Sequence, residues 1–90
     1  MKYLIHKYEL KRGISRLPGG AFLLHVGIQH NKLYAWAVVP EHPYEKFQPV
    51  FNVFFTGDSV EYCGDFKGTF LLNDGHLVLH VFYQDKELTT

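Results

Sequence analysis

The sequence predicts an all-β fold, a small antiparallel barrel or sandwich of six to seven strands, and three observations support this prediction. The residues that favour strands (Val, Ile, Thr, Tyr, Phe and Trp) number 30 among 90, whereas alanine, the best helix former, occurs three times. Apolar residues alternate with polar ones along several segments, and no segment keeps the 3.6-residue apolar period of a helix over three turns. Clusters of Gly, Pro, Asn and Asp separate these segments, as turns between strands require.

Length and composition bound the organisation of the chain. With 90 residues, 47% of them apolar and 20% charged, the chain has the composition of a packed globular domain rather than of a disordered segment. We therefore expect a single β domain over residues 1–90.

The N-terminal part of the chain predicts two strands. Residues 3–10 alternate between two sides, which is typical of a half-exposed strand, and residues 11–13 end it. A short second strand is predicted over residues 14–17. The Pro-Gly-Gly sequence at residues 18–20 stops it.

The clearest alternation begins at residue 21. Over residues 21–30 one side of the predicted strand is apolar, and the residues Asn31 and Lys32 form a two-residue turn into a strand over residues 33–39. This second strand is apolar on both faces. We therefore expect it to lie in the centre of a sheet, or to have its second face covered by a partner chain or a ligand.

The C-terminal half predicts a long loop, a strand and a hairpin. Three prolines over residues 40–49 predict the main loop, and alternation resumes over residues 48–57. The Asn-Asp-Gly turn at residues 73–75 predicts a hairpin over residues 66–83. The residues expected to fill the core are Phe22, Leu24, Val26, Ile28, Phe51, Val53, Phe55, Leu77, Leu79 and Val81.

Charge and hydropathy exclude two kinds of partner. The net charge is zero, with +4 over residues 1–16 and −4 over residues 58–87, and a domain that grips duplex nucleic acid would carry a clear basic excess. No apolar run approaches the roughly 20 residues that cross a bilayer. The N-terminus has no signal-peptide pattern, so we expect the chain to stay in the cytoplasm where it is made.

The residues that carry chemistry are not arranged for catalysis. His76 and His80 are four residues apart, which is roughly 13 Å along a strand and too far to share one metal ion. Ser15 and Ser59 lie outside any nucleophile motif, Cys63 has no second cysteine to form a disulfide, and no two carboxylates are paired by spacing. We expect a binding protein that is not an enzyme and has no metal or cofactor.

The sides of the strands that face away from the predicted core combine aromatic rings with hydrogen-bonding groups. This mixture suits a planar polar ligand such as a nucleobase, with basic side chains near the N-terminus for phosphate. An interface between copies of the chain is equally rich in such rings, and a pocket between subunits would satisfy both interpretations. The predicted ligand-binding residues are Lys7, Arg12, Arg16, His25, Tyr34, Trp36, Asn52, Thr56, His80 and Phe82.

Several short motifs together resemble a known family. They are Ile5-His6-Lys7-Tyr8-Glu9-Leu10, Leu17-Pro18-Gly19-Gly20-Ala21, Leu33-Tyr34-Ala35-Trp36-Ala37-Val38-Val39, Thr56-Gly57, Gly68-Thr69 and Leu77-Val78-Leu79-His80-Val81-Phe82. In their order and spacing they resemble a family of short, phage-encoded proteins of unassigned function. The resemblance implies a β-rich phage accessory protein in the host cytoplasm and supplies no catalytic residues.

Two hypotheses about function follow from the residues and the resemblance together. In the first, the chain is an oligomeric anti-defence protein that sequesters a nucleotide-derived host immune signal, such as a cyclic oligonucleotide or an ADP-ribose derivative. In the second, it is a protein–protein inhibitor or a virion assembly factor that docks through its aromatic face.

Overall fold

The computed structural model of the chain describes residues 2–43 and 47–87, and within these ranges all regular secondary structure is β-strand. In chain order the strands are β1 (Tyr3–Glu9), β2 (Gly13–Arg16), β3 (Phe22–Gln29), β4 (Lys32–Pro40), β5 (Phe47–Phe55), β6 (Asp65–Leu72) and β7 (Leu77–Glu87). The predicted all-β class and strand number are confirmed.

The strands form two separate antiparallel sheets. Sheet A has three strands in the order β1-β4-β3, and sheet B has four in the order β2-β5-β7-β6. No strand pairing joins the two sheets in the described residues, so the fold is not a closed barrel. As predicted, the strand with two apolar faces, β4, is the central strand of its sheet.

The first predicted hairpin, over residues 21–39, is formed by β3 and β4. The two residues that join these strands, His30 and Asn31, have φ angles of 50° and 59°. Both angles are in the left-handed region, as two-residue turns between twisted strands require. The turn begins one residue earlier than predicted, because Lys32 already pairs with Gln29 in the sheet.

The second predicted hairpin, over residues 66–83, is formed by β6 and β7. Its turn includes Asn73, Asp74 and Gly75, with φ angles of 52°, 54° and 85°. The backbone N–H of Asn73 donates a hydrogen bond of 2.9 Å to Oδ1 of Asn31 in the other hairpin turn. The turns of the two hairpins are therefore joined at one end of the sheets.

The core is one cluster of buried side chains contributed by both sheets. The side chain of Phe51 is the largest that is fully buried, and it packs in the same cluster as the small Ala35 and Ala37 of β4. Leu10 and Leu17, which follow the first two strands, are also buried. The cluster comprises Leu10, Leu17, Ala21, Val26, Leu33, Ala35, Ala37, Val39, Phe51, Val53, Leu72, Leu79 and Val81.

The prediction of which side of β3 faces the core is wrong for the first half of the strand. The register between β3 and β4 shifts between Leu23 and His25, so that Leu24 is the extra residue of a β-bulge. The bulge reverses the alternation, and Leu23 packs against the core while Phe22 and Leu24 are exposed. Beyond the bulge the prediction holds for Val26, which is buried. It is wrong for Ile28, which is 44% exposed because it lies at the end of β3 beside the turn.

The segment predicted as a loop over residues 40–49 is strand at both ends, because β4 ends at Pro40 and β5 begins at Phe47. Residues 44–46 lie outside the described residues. The carbonyl of Pro49 accepts a 3.0 Å hydrogen bond from the N–H of Leu17, on the β2 side of β5. The nitrogen of Pro49 points to that same side, so its missing N–H costs no hydrogen bond to β7.

We predict that Val26→Asp unfolds the protein, whereas Leu24→Asp is tolerated. Burying an unpaired carboxylate at position 26 costs on the order of several kcal/mol, a large share of the roughly 5–15 kcal/mol that stabilises a typical domain. Because Leu24 is 48% exposed, an aspartate at this position keeps its carboxylate in contact with water. Far-UV circular dichroism and thermal melting of both variants check this, and equal destabilisation would contradict the bulge.

Candidate functional site

The ten predicted ligand-binding residues do not form one site in a single chain. One group of four lies on the outer face of sheet A: Lys7, His25, Tyr34 and Trp36. A second group of five lies on the outer face of sheet B: Arg16, Asn52, Thr56, His80 and Phe82. Arg12 lies between β1 and β2. The core separates the two outer faces. The residues predicted to stack on a base and those predicted to bind a phosphate therefore cannot all contact one small ligand.

The four residues on sheet A belong to what we call the aromatic platform, which comprises Lys7, His25, Gln29, Tyr34 and Trp36. Trp36 is central, since it pairs in register with Lys7 on β1 and with His25 on β3. The ring centroid of Trp36 lies 5.6 Å from that of His25 and 5.9 Å from that of Tyr34. Both Tyr34 and Trp36 are half-buried, so part of each ring remains accessible.

Gly27 makes room for the His25 ring on the platform. A Cβ atom added at residue 27 would lie 2.6 Å from Nε2 of His25. The imidazole therefore occupies the space where a side chain of β3 would otherwise stand. This position brings the ring against Trp36.

Lys7 supplies the positive charge of the platform. Its Nζ atom donates a 2.7 Å hydrogen bond to Oε1 of Gln29 and lies 4.5 Å from the ring centroid of Tyr34. The side chain thus crosses β4 to reach β3. Lys7 forms no salt bridge within residues 2–43 and 47–87, so its charge is not neutralised by a carboxylate there.

Arg12 is engaged in a structural contact. Its guanidinium donates two hydrogen bonds to the carboxylate of Asp58, at 2.6 Å to Oδ1 and 3.2 Å to Oδ2, and lies 4.4 Å from the ring centroid of Phe55. The backbone N–H of Phe55 donates to the same carboxylate at 2.8 Å. That hydrogen bond and the guanidinium lower the pKa of Asp58. Arg12 therefore ties the β1–β2 connection to the end of β5.

The outer face of sheet B is built around Phe82 and His80 of β7. The ring centroid of Phe82 lies 5.8 Å from that of Phe54 and 5.4 Å from that of Phe66. Both nitrogens of His80 have hydroxyl partners, Nε2 with Thr56 at 2.7 Å and Nδ1 with Thr69 at 2.9 Å. This hydrogen bonding fixes the imidazole between two threonines and leaves neither nitrogen free for a ligand.

A cleft of about 620 Å³ lies between β3 and β6 and was not predicted from the sequence. The extra residues of the two β-bulges and several of their neighbours line it, and of the ten predicted residues only His25 does so. Lys67, the extra residue of the β6 bulge, has its Nζ 5.5 Å from the ring centroid of Tyr83. Gly68, with a φ of 146°, was the available signal, since a glycine inside a strand often marks a bulge.

Other chemistry is sparse in the described residues. No group of three or more His, Cys, Asp or Glu side chains is placed to hold a metal ion there. The thiol of Cys63 is buried, and burial raises its pKa, which disfavours the reactive thiolate. Within residues 2–43 and 47–87 the structure contains no helix with the length and apolar character needed to cross a membrane.

The chain is an all-β protein in which two antiparallel sheets share one core. The outer face of sheet A carries the aromatic platform and is the candidate binding face. The sequence model of the family described as a domain of unknown function (DUF7352) matches residues 1–90, so the chain belongs to that family. The comparisons with curated proteins and with solved structures gave no match. The expected membership of a β-rich family of unassigned function is confirmed, and its phage origin stays a prediction.

The contacts of Asp58 predict a specific loss of stability in acid. Because the pKa of Asp58 in the folded protein is below its ordinary value of 3.8, its stabilising effect is present above that value. The effect is lost as the pH falls from 3.8 through the folded value. In thermal melts, Asp58→Asn should therefore show a shallower decrease of Tm below about pH 4 than the wild type.

The matched control is Glu61→Gln, which removes an exposed carboxylate that forms no salt bridge within the described residues. Its melting temperature should follow that of the wild type through the same pH range. The role given to Asp58 is contradicted if Asp58→Asn and Glu61→Gln have the same acid profile.

Proposed function

We propose that the protein binds a nucleotide-type small molecule on the aromatic platform and holds it without chemical change. One observation carries this proposal: Trp36 and Lys7 are neighbours in one row of sheet A. An aromatic ring therefore lies beside a cation, and this cation has no carboxylate partner in the described residues. A base stacks on the first, and the second attracts a phosphate.

The proposed binding mode uses the contacts that the platform already has. A base would stack over the exposed part of Trp36 beside His25, and the amide of Gln29 would offer a hydrogen bond. Lys7 would exchange its neutral partner, Gln29, for a phosphate oxygen, which leaves no buried charge behind. Arg12 is less suited to this role, because its release would break an ion pair with Asp58.

The proposal includes a biological setting that rests on the family resemblance. The chain would be a phage accessory protein with the form of a β-sandwich, acting in the host cytoplasm. There it would sequester a host immune signal of the cyclic oligonucleotide or ADP-ribose class. Sequestration needs affinity and no catalytic group.

A second candidate function is the docking of a host or virion protein on the outer face of sheet B. Phe66 and Leu71 are each 58% exposed there, and Ile14 is also exposed on this face. Together with the Phe54–Phe82 pair they form an apolar surface flanked by polar groups, which is typical of protein interfaces. This candidate and the first involve different faces, so variants can separate them.

We predict that Trp36→Ala weakens nucleotide binding by about ten- to a hundredfold, because stacking of a base on an aromatic ring contributes about 1–3 kcal/mol. The matched control, Phe82→Ala, truncates an aromatic ring on sheet B and should leave binding unchanged. Isothermal titration calorimetry with cyclic dinucleotides, cyclic trinucleotides and cyclised ADP-ribose measures both. Chromatography of ligand released from denatured protein should return it unchanged.

Two results would contradict the proposal. One is the absence of both heat and thermal stabilisation with every compound of the panel, which would favour protein docking on sheet B. The other is an equal loss of affinity in Trp36→Ala and Phe82→Ala.

We also predict that Lys7→Gln weakens binding and reduces its dependence on salt concentration, since a cation–phosphate contact is screened by ions. Arg16→Gln likewise replaces a basic side chain by glutamine, but on sheet B, and it should alter neither the affinity nor its dependence on salt concentration. Titrations at low and physiological ionic strength measure the two slopes. A loss in Arg16→Gln as large as that in Lys7→Gln would place the phosphate elsewhere.

A further inference from the structure

We infer that the free edge of β1 pairs antiparallel with β1 of a second copy of the chain. Such pairing joins two three-stranded sheets into one six-stranded sheet with both aromatic platforms on the same face. The pairing depends on the backbone and side chains of β1 and does not involve a ligand. Only its consequence for the ligand rests on the proposed function.

The backbone of β1 presents a regular row of unpaired groups. The carbonyl of Lys2 accepts a 2.9 Å hydrogen bond from Glu41, and the N–H of Leu10 donates a 2.8 Å hydrogen bond to Leu33. Since N–H and C=O groups of alternate residues point to the same side of a strand, the even-numbered residues face β4. The N–H and C=O groups of the odd-numbered residues point to the open edge: Tyr3, Ile5, Lys7 and Glu9.

The other three edge strands are less suited to accept a partner strand. β3 and β6 each contain a β-bulge, and these two strands are close to each other. β2 has only four residues. Bulges and short edge strands are common means of preventing edge pairing, and β1, with seven residues and no bulge, has neither.

The lysine that could protect the β1 edge lies over its own sheet. A lysine near the middle of an edge strand usually blocks strand addition, because its charge would be buried. Here the Lys7 side chain crosses β4, where its Nζ lies over the ring of Tyr34 and bonds Gln29 of β3. The ammonium group is thereby directed away from the edge.

Apolar side chains are exposed on both faces of β1. Leu4, on the core side of sheet A, is 53% exposed, and Ile5, on the outer side, is 67% exposed. A strand added at the edge would cover part of both side chains, since neighbouring strands contact each other on both faces. A ligand on one face of the sheet would cover only one of them.

Charge and the number of hydrogen bonds together favour one register of the pairing. With a two-fold axis at His6, Ile5 faces Lys7 of the second copy, Tyr3 faces Glu9 and Leu4 faces Tyr8, so no like charges are opposed. The four residues of β1 whose backbone groups point to the open edge then each form two hydrogen bonds with a residue of the second copy, which makes about eight hydrogen bonds in all. An axis at residue 7 would oppose two lysines. One symmetric contact of this kind closes the open edges of both copies, which favours a second copy as the occupant.

The pairing brings the two platforms together. Along one row of the joined sheet, His25, Trp36 and Lys7 of one copy continue into Ile5, Val38 and Phe22 of the other. Three strand spacings and a two-residue offset separate the two Trp36 residues by roughly 16 Å on one face of the joined sheet. This arrangement suits a nucleotide with two bases, such as a cyclic dinucleotide, if the proposed function holds.

Cysteine cross-linking without ligand tests the interface and its register. At the proposed axis His6 would face His6 of the second copy in a non-hydrogen-bonded pair, with Cα atoms about 4.5 Å apart, which is within disulfide range. In a Cys63→Ala background, His6→Cys should form a covalent dimer at least ten times faster than Leu4→Cys. Leu4 is the matched control because it is exposed on the same face of the same strand.

Light scattering completes the test. At micromolar concentration the wild type should have twice the 10.5 kDa mass of one chain. Ile5→Lys should be monomeric with its circular dichroism retained, and Leu71→Lys, an equally exposed edge position on sheet B, should stay dimeric. A monomeric wild type, a dimer that survives Ile5→Lys, or equal cross-linking at positions 4 and 6 would each overturn the inference, whatever the protein binds.

Discussion

Strand β4 contributes apolar side chains to both faces of sheet A, and the core and the candidate site both depend on it. On one face Leu33, Ala35, Ala37 and Val39 are buried in the cluster shared with sheet B. On the other face Tyr34 and Trp36 are held at the centre of the aromatic platform. Because successive side chains of a strand alternate, the packing of the alanines in the core fixes where the aromatic rings lie.

The basic residues near the N-terminus divide into different roles for a physical reason. Arg12 has a carboxylate partner, and Asp58 receives a third hydrogen bond from the backbone of Phe55, so the pair forms a fixed part of the fold. Lys7 has a neutral partner, and a neutral partner can be exchanged for an anion at lower cost. The side-chain position that presents this charge on the platform also leaves the edge of β1 open. The proposed ligand binding and the proposed self-association therefore both depend on the orientation of Lys7.

The sequence predicted those features that depend on local patterns. Alternation and turn residues gave the all-β class, both hairpins and the central position of β4. The predicted core was wrong at Phe22, Leu24 and Ile28. At Phe22 and Leu24 the reason is a bulge that adds one residue to β3 and reverses the faces, and alternation alone cannot reveal an added residue. The prolines of the 40–49 segment do not reveal which side of each strand is paired, so the sequence alone does not show whether a missing N–H costs a hydrogen bond.

The candidate site was predicted only in part, because membership of a sheet is not a local property. His25, Tyr34 and Trp36 lie in one hairpin, so their shared face follows from the register of that hairpin. Whether Arg16 or His80 joins them depends on which sheet β2 and β7 enter, and nothing in their own sequences specifies it. The cleft between β3 and β6 was missed for the same reason.

The single tryptophan of the chain offers the most direct measurement of the central claim, that nucleotides bind the outer face of sheet A at Trp36. Trp36 fluorescence should be recorded during titration with cyclic dinucleotides, cyclic trinucleotides and cyclised ADP-ribose at low and high salt. Binding at Trp36 predicts saturable quenching by at least one of these compounds, because a base stacks on the indole, and weaker binding at high salt. Unchanged fluorescence with every compound in folded protein would contradict it.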